Sequence, residues 1–519
     1  MKKSLLTISF AFYFPVMLFA QIKQLAKSNT FNEPTSGFNQ TIVMNDGTVS
    51  NLSIDKKSGI FLRTWDKNLN QVLAKKLNTK HEHLRLASSI EGLYETNQKI
   101  VLFLSEYEGS DIRTYRFVID PIKGDLILQD KVVDFNRKAT ISSNWSTYKH
   151  GGTFPTVMVD YDPISQNYAT GLVNIGSDRD NRNLTVQLFN NKHEKINEHI
   201  FQWGSKNKYP HIGLVDIDIK GDKVFALLSA FDIGTFMNQT GTLIIVDCSS
   251  TGKSTDFFSM EEQKNLSESW NLIQYSPSEN KLFIINQVDI PRNERKNEET
   301  AFETGNKMLI YDVNTNKISN VVPIVNKGEN DYSKSLNGFS LRANGDYSLS
   351  YSITKETVVS NGNRTFSEFE TKNIYIINYD KQGNLKKSTI DVRHHLPSNN
   401  SSTSFSGRLE YDDDASFKRH IHLVNSNSNI VLLNDDKDNE KKVNSGKKPQ
   451  KLKNVKDAIA YYFNTLGEEA EPVRKQLLDE ADCVIMISGS FFNSTNGLFA
   501  TLSKKNNDNT VRMVLFKLD

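Results

Sequence analysis

A short hairpin pattern that recurs along the whole chain constrains its fold more than any other feature of the sequence. An apolar run ends in Asp or Asn, a polar turn follows, and a second run begins. The positions are Asp66, Asp120, Asn190, Asp247, Asp312, Asp380, Asp435 and, where the sequence stops, Asp519. The short side chain accepts a hydrogen bond from an amide two residues further on, which closes a tight turn. The first seven positions are 54 to 70 residues apart, so the pattern predicts a fold of eight similar units.

Two further strand-like runs precede most copies of this hairpin. Before Asp247 they cover residues 212–219 and 223–231, and a Lys-Gly-Asp turn separates them. We therefore predict that each unit contains four antiparallel strands, named A to D. These strands are rich in Val, Ile, Leu and aromatic residues. Four-stranded units at regular spacing are typical of a β-propeller. We expect an all-β, eight-bladed propeller over residues 21–519, or a seven-bladed one if a weak copy is not a blade.

The last copy ends on what would be strand C of its blade. An unpaired sheet edge is a liability in a closed ring, so a strand from elsewhere is needed there. Residues 21–35 precede the first predicted strand A and are free to supply it. We therefore predict that the N-terminal segment completes the C-terminal blade.

The C–D hairpins, such as Val-Asp-Cys-Ser-Ser-Thr-Gly-Lys from Val246 and Ile-Asp-Pro-Ile-Lys-Gly-Asp from Ile119, resemble the blades of quinoprotein-type propellers. The resemblance covers only these hairpins and implies the propeller fold. The tryptophan that the family places after the turn is absent from most copies, so a quinone cofactor is not implied. No other cofactor is identified from the sequence.

One segment, residues 435–480, interrupts the repeats. Residues 435–450 form a Lys-, Asp- and Asn-rich tract that predicts a flexible connection, although 440–444 could be an outer strand. Val455, Ile459 and Phe463 then recur at helical spacing behind an Asn, which predicts a helix over 454–463. A second helix is expected from about 471 to 479. We therefore expect a small helical insertion before the last blade.

The first twenty residues have the pattern of a bacterial secretory signal peptide. Lys2 and Lys3 form a positive region, residues 5–18 are apolar or small, and Ala20 precedes the expected cleavage. We expect an exported, periplasmic or extracellular protein without a membrane span, since no later apolar stretch approaches membrane length. The formal net charge of +2 gives no electrostatic case for nucleic acid. Cys248 and Cys483 each border an apolar run and are interpreted as buried fillers rather than a disulfide.

The predicted connections differ between the two faces of the ring. In a four-stranded meander the A–B and C–D turns share one face, and the B–C and D–A connections share the other. The first set is short, whereas the second is long at 135–152, 232–241, 289–306, 326–335, 355–372 and 393–403. Long connections are often functional. Candidate binding residues there are Trp145, Tyr148, Trp203, Tyr209, Arg292, Arg364, His394 and His395. The alternative is that the aromatic residues only pack their loops onto the ring.

Several motifs that resemble chemical sites have structural explanations. Residues 250–254, Ser-Thr-Gly-Lys-Ser, are similar to the end of a phosphate-binding loop but lie in a predicted strand hairpin. The histidine pairs lack further zinc ligands, and turn chemistry explains the acidic clusters, including Asp160 and Asp162. No metal site is therefore predicted.

Two functions remain open on the sequence alone. The first is a binding or scaffold module whose long-connection face engages a protein, glycan or peptide partner. The second is a hydrolase or lyase with its site in the central channel, where strands A converge. The absence of a recognisable catalytic motif favours the binding module, so an enzyme is the less favoured interpretation.

Overall fold

The protein is described by a computed structural model. The structure describes residues 22–34, 37–55, 59–79, 89–108, 111–135, 157–174, 182–233, 239–264, 271–287, 306–323, 333–342, 344–361, 364–380, 385–397, 420–425, 429–450, 452, 455–465, 474–480, 482–505 and 508–518.

The described strands form eight antiparallel sheets, one for each predicted blade. Blade 1 contains Phe38–Val43, Val49–Asp55, Gly59–Trp65 and Gln71–Lys76, and blade 2 contains Ser89–Thr96, Lys99–Glu108, Asp111–Ile119 and Leu126–Phe135. Blade 3 contains Val157–Tyr161, Tyr168–Asn174, Arg182–Phe189 and Lys195–Trp203. Blade 4 contains His211–Lys220, Lys223–Ile233 and Gln239–Asp247, with Phe258–Ser259 and Gln263–Lys264 as its outer edge. In each case the order given is strands A to D.

The second half of the chain continues this pattern. Blade 5 contains Leu272–Ser276, Lys281–Gln287, Asn306–Asp312 and Lys317–Pro323, and blade 6 contains Ser333–Leu341, Tyr347–Asn361, Arg364–Tyr379 and Leu385–Pro397. Blade 7 contains His420–Val424, Asn429–Asp436, Ala458–Asn464 and Arg474–Gln476. Blade 8 contains a strand A in two parts, Cys483–Ile485 and Phe491–Asn493, followed by Leu498–Lys505 and Thr510–Leu518. The eight-bladed propeller is therefore confirmed.

The hydrophobic core is divided among the interfaces between neighbouring blades. Strand B of blade 2 shows the reason, because Ile100, Leu102 and Leu104 pack against blade 1 while Val101 and Phe103 pack against blade 3. Alternate side chains of a strand point to opposite faces of its sheet, and both faces are covered here. The middle strands therefore read as unbroken apolar runs. Each of the eight neighbouring pairs shares such a cluster, including blade 8 with blade 1, which closes the ring.

The N-terminal segment closes the ring as predicted. Ile22–Lys27 pairs antiparallel with strand C of blade 8 and is the outermost strand of that sheet, so it serves as strand D. Phe31–Asn32 extends the pairing on the same partner strand. Glu480 holds the closure in place, since it accepts hydrogen bonds from both Lys27 and Arg512.

Blade 7 corrects the predicted secondary structure of the insertion. The segment expected as a helix over 454–463 forms a short 3-10 turn, Val455–Asp457, and then strand C of the blade, Ala458–Asn464. Tyr461 and Phe463 pack towards blade 6, whereas Ala460 and Tyr462 pack towards blade 8. A spacing of four residues fits one face of a strand as well as one face of a helix, which explains the wrong assignment.

The remaining assignments in this segment also change. Asp435 lies at the end of strand B, not strand C, and Arg474–Gln476 forms the outer strand where a second helix was expected. The described helix before the last blade is Asn439–Asn444, six residues within the tract that was predicted to be flexible. Buried Asn439 anchors this tract, because its amide nitrogen donates to Asp435 and to the carbonyl oxygen of Gln450. A small helix is therefore present, but at a different position.

The outer edges of the blades carry a repeated irregularity. Strand D of blades 1, 2, 3 and 8 contains one extra residue close to its start, and these residues are Val72, Ile127, Ile196 and Leu25. Blade 5 has the same kind of register shift. The outer strands of blades 4 and 7 are short instead. A β-bulge or a short edge strand discourages pairing with other chains, so these edges are protected.

Candidate functional site

The connections between strands are longer on one face of the ring than on the other. The A–B and C–D turns span two to six residues in most blades, with 248–257 and 465–473 as the exceptions. The B–C and D–A connections on the opposite face include 136–156, 288–305 and 398–419. This face is called the long-connection face below, and the other is called the short-turn face. The difference agrees with the asymmetry expected from the sequence.

Part of the long-connection face consists of strands where loops were expected. Strands B and C of blade 6 run on through 355–361 and 364–371, and residues 394–397 of strand D pair with the second of these segments. We call these three segments the blade-six arm. Among the described residues, the pairing of strand B with strand A ends at Thr354, and its pairing with strand C continues to Asn361. The prediction that residues 355–372 form a loop is therefore wrong.

Three candidate binding residues belong to this arm. Arg364 begins strand C opposite Asn361, and His394 and His395 pair in register with Thr371 and Glu370 of strand C. The sequence placed these residues on loops, but the structure places their backbones in strands. The hydrogen-bond ladder between strands B and C continues through the residues that were predicted to form a loop.

Two other candidates lie in the core between blades 3 and 4. Trp203 ends strand D of blade 3 with 3% of its surface exposed, and its indole N–H donates to the carbonyl oxygen of Tyr209, at 3.0 Å. Tyr209 is also buried and donates its hydroxyl proton to Glu262, at 2.7 Å. Both side chains pack the D–A connection onto the ring, which is the alternative left open by the sequence. Trp145, Tyr148 and Arg292 lie outside the described residues.

A group of carboxylates on neighbouring strands A was not identified from the sequence as a candidate site. The three side chains are Asp160 of blade 3 and Asp216 and Asp218 of blade 4. Asp160 Oδ2 accepts the backbone N–H of Ile219 at 3.0 Å, which ties blade 3 to blade 4. A run of alternating carboxylates in an apolar strand, Asp-Ile-Asp-Ile-Lys from Asp216, is the signal that could have revealed the group.

Asp216 and Asp218 make the equivalent contacts with the next blade. Asp216 Oδ2 accepts the N–H of Ile273 at 2.9 Å, and Asp218 Oδ2 accepts the N–H of Tyr275 at 2.6 Å. Strand A is the end strand of its sheet, so its outward N–H groups have no ladder partner. The carboxylates supply the missing acceptors and so fasten successive blades together.

The electrostatics of this group are unusual for aspartates. Burial raises the pKa of Asp216 to about 7, although the N–H of Ile273 lowers it, and the nearby Asp160 and Asp218 raise it further. Burial likewise raises the pKa of Asp218 to about 7, against the lowering effect of Lys220, whose Nζ lies 3.6 Å from Asp218 Oδ1. The pKa of Asp160 is also raised by burial. Carboxyl groups with such values can hold or release a proton near neutral pH.

The position of this group separates it from the long-connection face. Asp218 lies two residues before Lys220, the last residue of strand A, and the A–B turn follows. The carboxylate group is therefore close to the short-turn face. A binding function and a carboxylate-based reaction would consequently use opposite faces of the ring.

The phosphate-loop-like segment is occupied by structural contacts. Gly252–Ser254 forms a short strand that pairs in parallel with strand D of blade 3. Buried His199 lies beneath it, with Nδ1 2.9 Å from the carbonyl oxygen of Ser250 and Nε2 3.0 Å from the hydroxyl of Ser254. The histidine therefore fastens the C–D hairpin of blade 4 to blade 3, and no helix follows the segment as a phosphate loop requires.

Cys248, Cys483 and His422 have buried surroundings. Cys248 and Cys483 are free thiols, and burial raises the pKa of both. Burial lowers the pKa of His422 to about 4, although its hydrogen bond with Asn429 raises it. Within the described ranges, no group of three His, Cys, Asp or Glu residues is arranged to hold a metal ion. The described residues also include no helix long and apolar enough to span a membrane.

Comparisons with known proteins do not assign this chain to a family. No protein-family model matches the chain, and no curated protein matches it in sequence. Among solved structures, the β-propeller domain of the Trilobed protease from Pyrococcus furiosus has 11% identity and a TM-score of 0.36, covering 86% of this chain and 98% of that one. Saccharomyces cerevisiae Sqt1 has 8% identity and a TM-score of 0.41, covering 96% and 100%. The α-L-arabinofuranosidase Arb93A from Fusarium graminearum has 6% identity and a TM-score of 0.32, covering 71% and 98%. The eight four-stranded sheets, and not these distant similarities, show that this chain is an eight-bladed β-propeller.

Proposed function

We propose that this protein is a binding or scaffold propeller that engages a protein, glycan or peptide partner through its long-connection face. The observation that carries the proposal is the unequal length of the connections on the two faces. A blade needs only a short turn between strands B and C, because those strands are neighbours in the sheet. Residues 288–305 and the blade-six arm exceed this requirement by far. Connections that are longer than the fold requires often carry binding residues.

The proposal is tested by shortening two of these connections separately. One variant replaces residues 289–304 by a short Gly-Ser turn, and the other replaces the arm hairpin 356–369 in the same way. Strands B and C stay adjacent in both, so the blade can still close. Affinity capture from extracts of the source organism, quantified by mass spectrometry, and binding to a glycan array are compared with the unmodified chain. We expect at least a ten-fold loss of one partner in at least one variant.

The matched control lies on the opposite face. Ile164 lies in the A–B turn of blade 3 with 89% of its surface exposed, so Ile164→Asp alters the short-turn face without disturbing the core. We expect this variant to retain every partner. Unchanged binding in both shortened variants, with melting curves like that of the unmodified chain, would exclude the proposal, as would loss of the partner in Ile164→Asp.

A second candidate function is a hydrolase or lyase that uses the strand-A carboxylates. The observation in its favour is the raised pKa of Asp216 and Asp218 beside Asp160, because an acid and a base that both work near neutral pH need such values. Against it, each carboxylate already accepts a backbone N–H. The test is release of products from a panel of polysaccharides and glycosides, with Asp216→Asn and Asp218→Asn as variants. No turnover in the unmodified chain, or full turnover in both variants, would exclude it.

We also propose that the protein is exported. The support is the sequence pattern of residues 1–20, which lie outside the described part of the structure. N-terminal sequencing of the protein recovered from the periplasm and the culture medium tests the proposal. A first residue at or near Gln21 supports export, whereas an intact Met1 in a purely cytoplasmic fraction contradicts it.

A further inference from the structure

The connection between strands B and C of blade 7 has a concentrated positive charge. Residues 437–457 contain eight lysines and three acidic residues, a net charge of +5, although the net charge of the whole chain is only +2. Residues 288–305, another connection on the same face, contain five acidic and three basic residues instead. A local excess of one charge attracts groups of the opposite charge to that part of the surface. Residues 437–450 of this connection are called the lysine loop below.

Most lysines of this loop are exposed and have no acidic partner. The exposed ones are Lys437, Lys441, Lys447 and Lys448. None of these four side chains forms an ion pair or a hydrogen bond with a described residue. Lys442 differs, because its Nζ donates to the side chain of Gln450. Four positive charges on the long-connection face are therefore available to a ligand.

The lysine loop is held in place from beneath. The amide nitrogen of buried Asn439 donates to Asp435 Oδ1 and to the carbonyl oxygen of Gln450, each at 2.9 Å, and its side-chain oxygen accepts the N–H of Gln450 at 2.6 Å. Asp435 also pairs with buried Arg474. Just after the loop, Leu452 is fully buried in the core between blades 8 and 1. A loop anchored in this way loses less conformational entropy when it binds a ligand.

The composition of the loop indicates the kind of ligand. Residues 437–450 contain no Trp, Tyr, Phe or Arg, the residues that anchor many protein–protein contacts, and no exposed apolar side chain. Lysine ammonium groups are compact point charges, which pair with anionic groups without a fixed geometry. Repeated charges along a linear polyanion can supply binding energy without an apolar anchor, as a nucleic-acid backbone does. The loop is therefore better suited to a linear polyanion than to a folded protein.

We propose that the lysine loop binds a linear anionic polysaccharide that bears sulfate or carboxylate groups. The inference rests on the proposed binding function and on the proposed export of the protein. An exported protein meets polysaccharides of the cell surface and its surroundings, which favours this polyanion over a nucleic acid. The inference thereby names one class of partner for the long-connection face.

The test removes the four available charges. One variant combines Lys437→Gln, Lys441→Gln, Lys447→Gln and Lys448→Gln, which leaves the buried anchor of the loop unchanged. Titration calorimetry measures binding of dextran sulfate and of polygalacturonate, with uncharged dextran as the reference. We expect the unmodified chain to bind at least one of the two anionic polymers at 50 mM NaCl, and the one preferred identifies the anionic group. The variant should bind at least ten-fold more weakly, and 500 mM NaCl should weaken binding to the unmodified chain by at least the same factor.

The matched control removes the same charge from the short-turn face. It replaces by Gln four exposed lysines, one on each C–D connection of blades 1 to 4: Lys67, Lys123, Lys192 and Lys253. We expect this control to bind within two-fold of the unmodified chain, and both variants to have its melting curve. Failure of the unmodified chain to bind either anionic polymer would overturn the inference. An equal loss of binding in the control, equal binding of uncharged dextran, or tighter binding of duplex DNA would also overturn it.

The outcomes separate this inference from the proposed binding function. Shortening of residues 289–304 or 356–369 leaves the lysine loop intact, so we expect both shortened variants to retain the polysaccharide. If the chain binds neither anionic polymer but loses a captured protein in one of the shortened variants, the binding function is supported and only the lysine-loop inference fails.

Discussion

Replacing Asp216 by Asn removes a carboxylate that the fold holds in an unfavourable environment. The pKa of Asp216 is raised to about 7, whereas the pKa of an aspartate in an unfolded chain is close to 3.8. Between these values the unfolded chain releases its proton and the folded chain keeps it, so stability falls as the pH rises. The penalty is absent below pH 4 and complete above pH 7.

The size of the effect follows from the shift in pKa. About three pKa units at about 1.4 kcal/mol each correspond to a penalty of about 4 kcal/mol above pH 7. Asn keeps an oxygen that can accept the N–H of Ile273, so the contact between blades 4 and 5 is preserved. We therefore compare the unfolding free energy of Asp216→Asn with that of the unmodified chain at two pH values. Between pH 4.5 and pH 8, this difference should change by about 2–4 kcal/mol in favour of the variant.

The assay is urea-induced unfolding of both chains at half-unit steps from pH 4.5 to 8.5. Asp222→Asn is the control, because Asp222 is exposed in the A–B turn that follows the same strand. We expect the difference in unfolding free energy between this control and the unmodified chain to be flat across the range. A flat difference for Asp216→Asn as well, or a loss of stability at pH 8, would refute the electrostatic reasoning.

Three further changes have expected outcomes. Arg474→Ala leaves the fully buried carboxylate of Asp435 without its ion-pair partner, so urea unfolding should show a loss of about 3–5 kcal/mol. Gly37→Ala should lower the melting temperature measured by circular dichroism by at least several degrees, because φ is +80° there and a Cβ atom would lie 2.1 Å from the carbonyl oxygen of Ile54. Removal of Ile22–Lys27 exposes strand C of blade 8, and we expect lower stability and aggregation in light scattering. The control is a chain that begins at residue 21 and keeps Ile22–Lys27. If the deletion variant is as stable and as monodisperse as this control, ring closure by this strand is contradicted.

Blade 7 shows the limit of reasoning from local patterns. Both the strand assigned to Asp435 and the helix assigned to 454–463 followed real regularities in the sequence, and both assignments were wrong. Val455, Ile459 and Phe463 satisfy a helical and a strand period at once, so periodicity alone could not decide between them. The packing of the neighbouring blades agrees with a strand, since Tyr461 and Phe463 pack towards blade 6 while Ala460 and Tyr462 pack towards blade 8.

The sequence by itself predicted the repeated blade and the closure by the N-terminal strand, and it favoured eight blades over seven. These properties follow from local features, since apolar runs and Asp or Asn turns specify hairpins whatever lies around them. The tertiary structure alone decided which polar groups meet. Asp216 and Asp218 find their N–H partners 57 residues later, on the next strand A. Such contacts depend on how neighbouring sheets are placed side by side, and no local pattern in the chain encodes that placement.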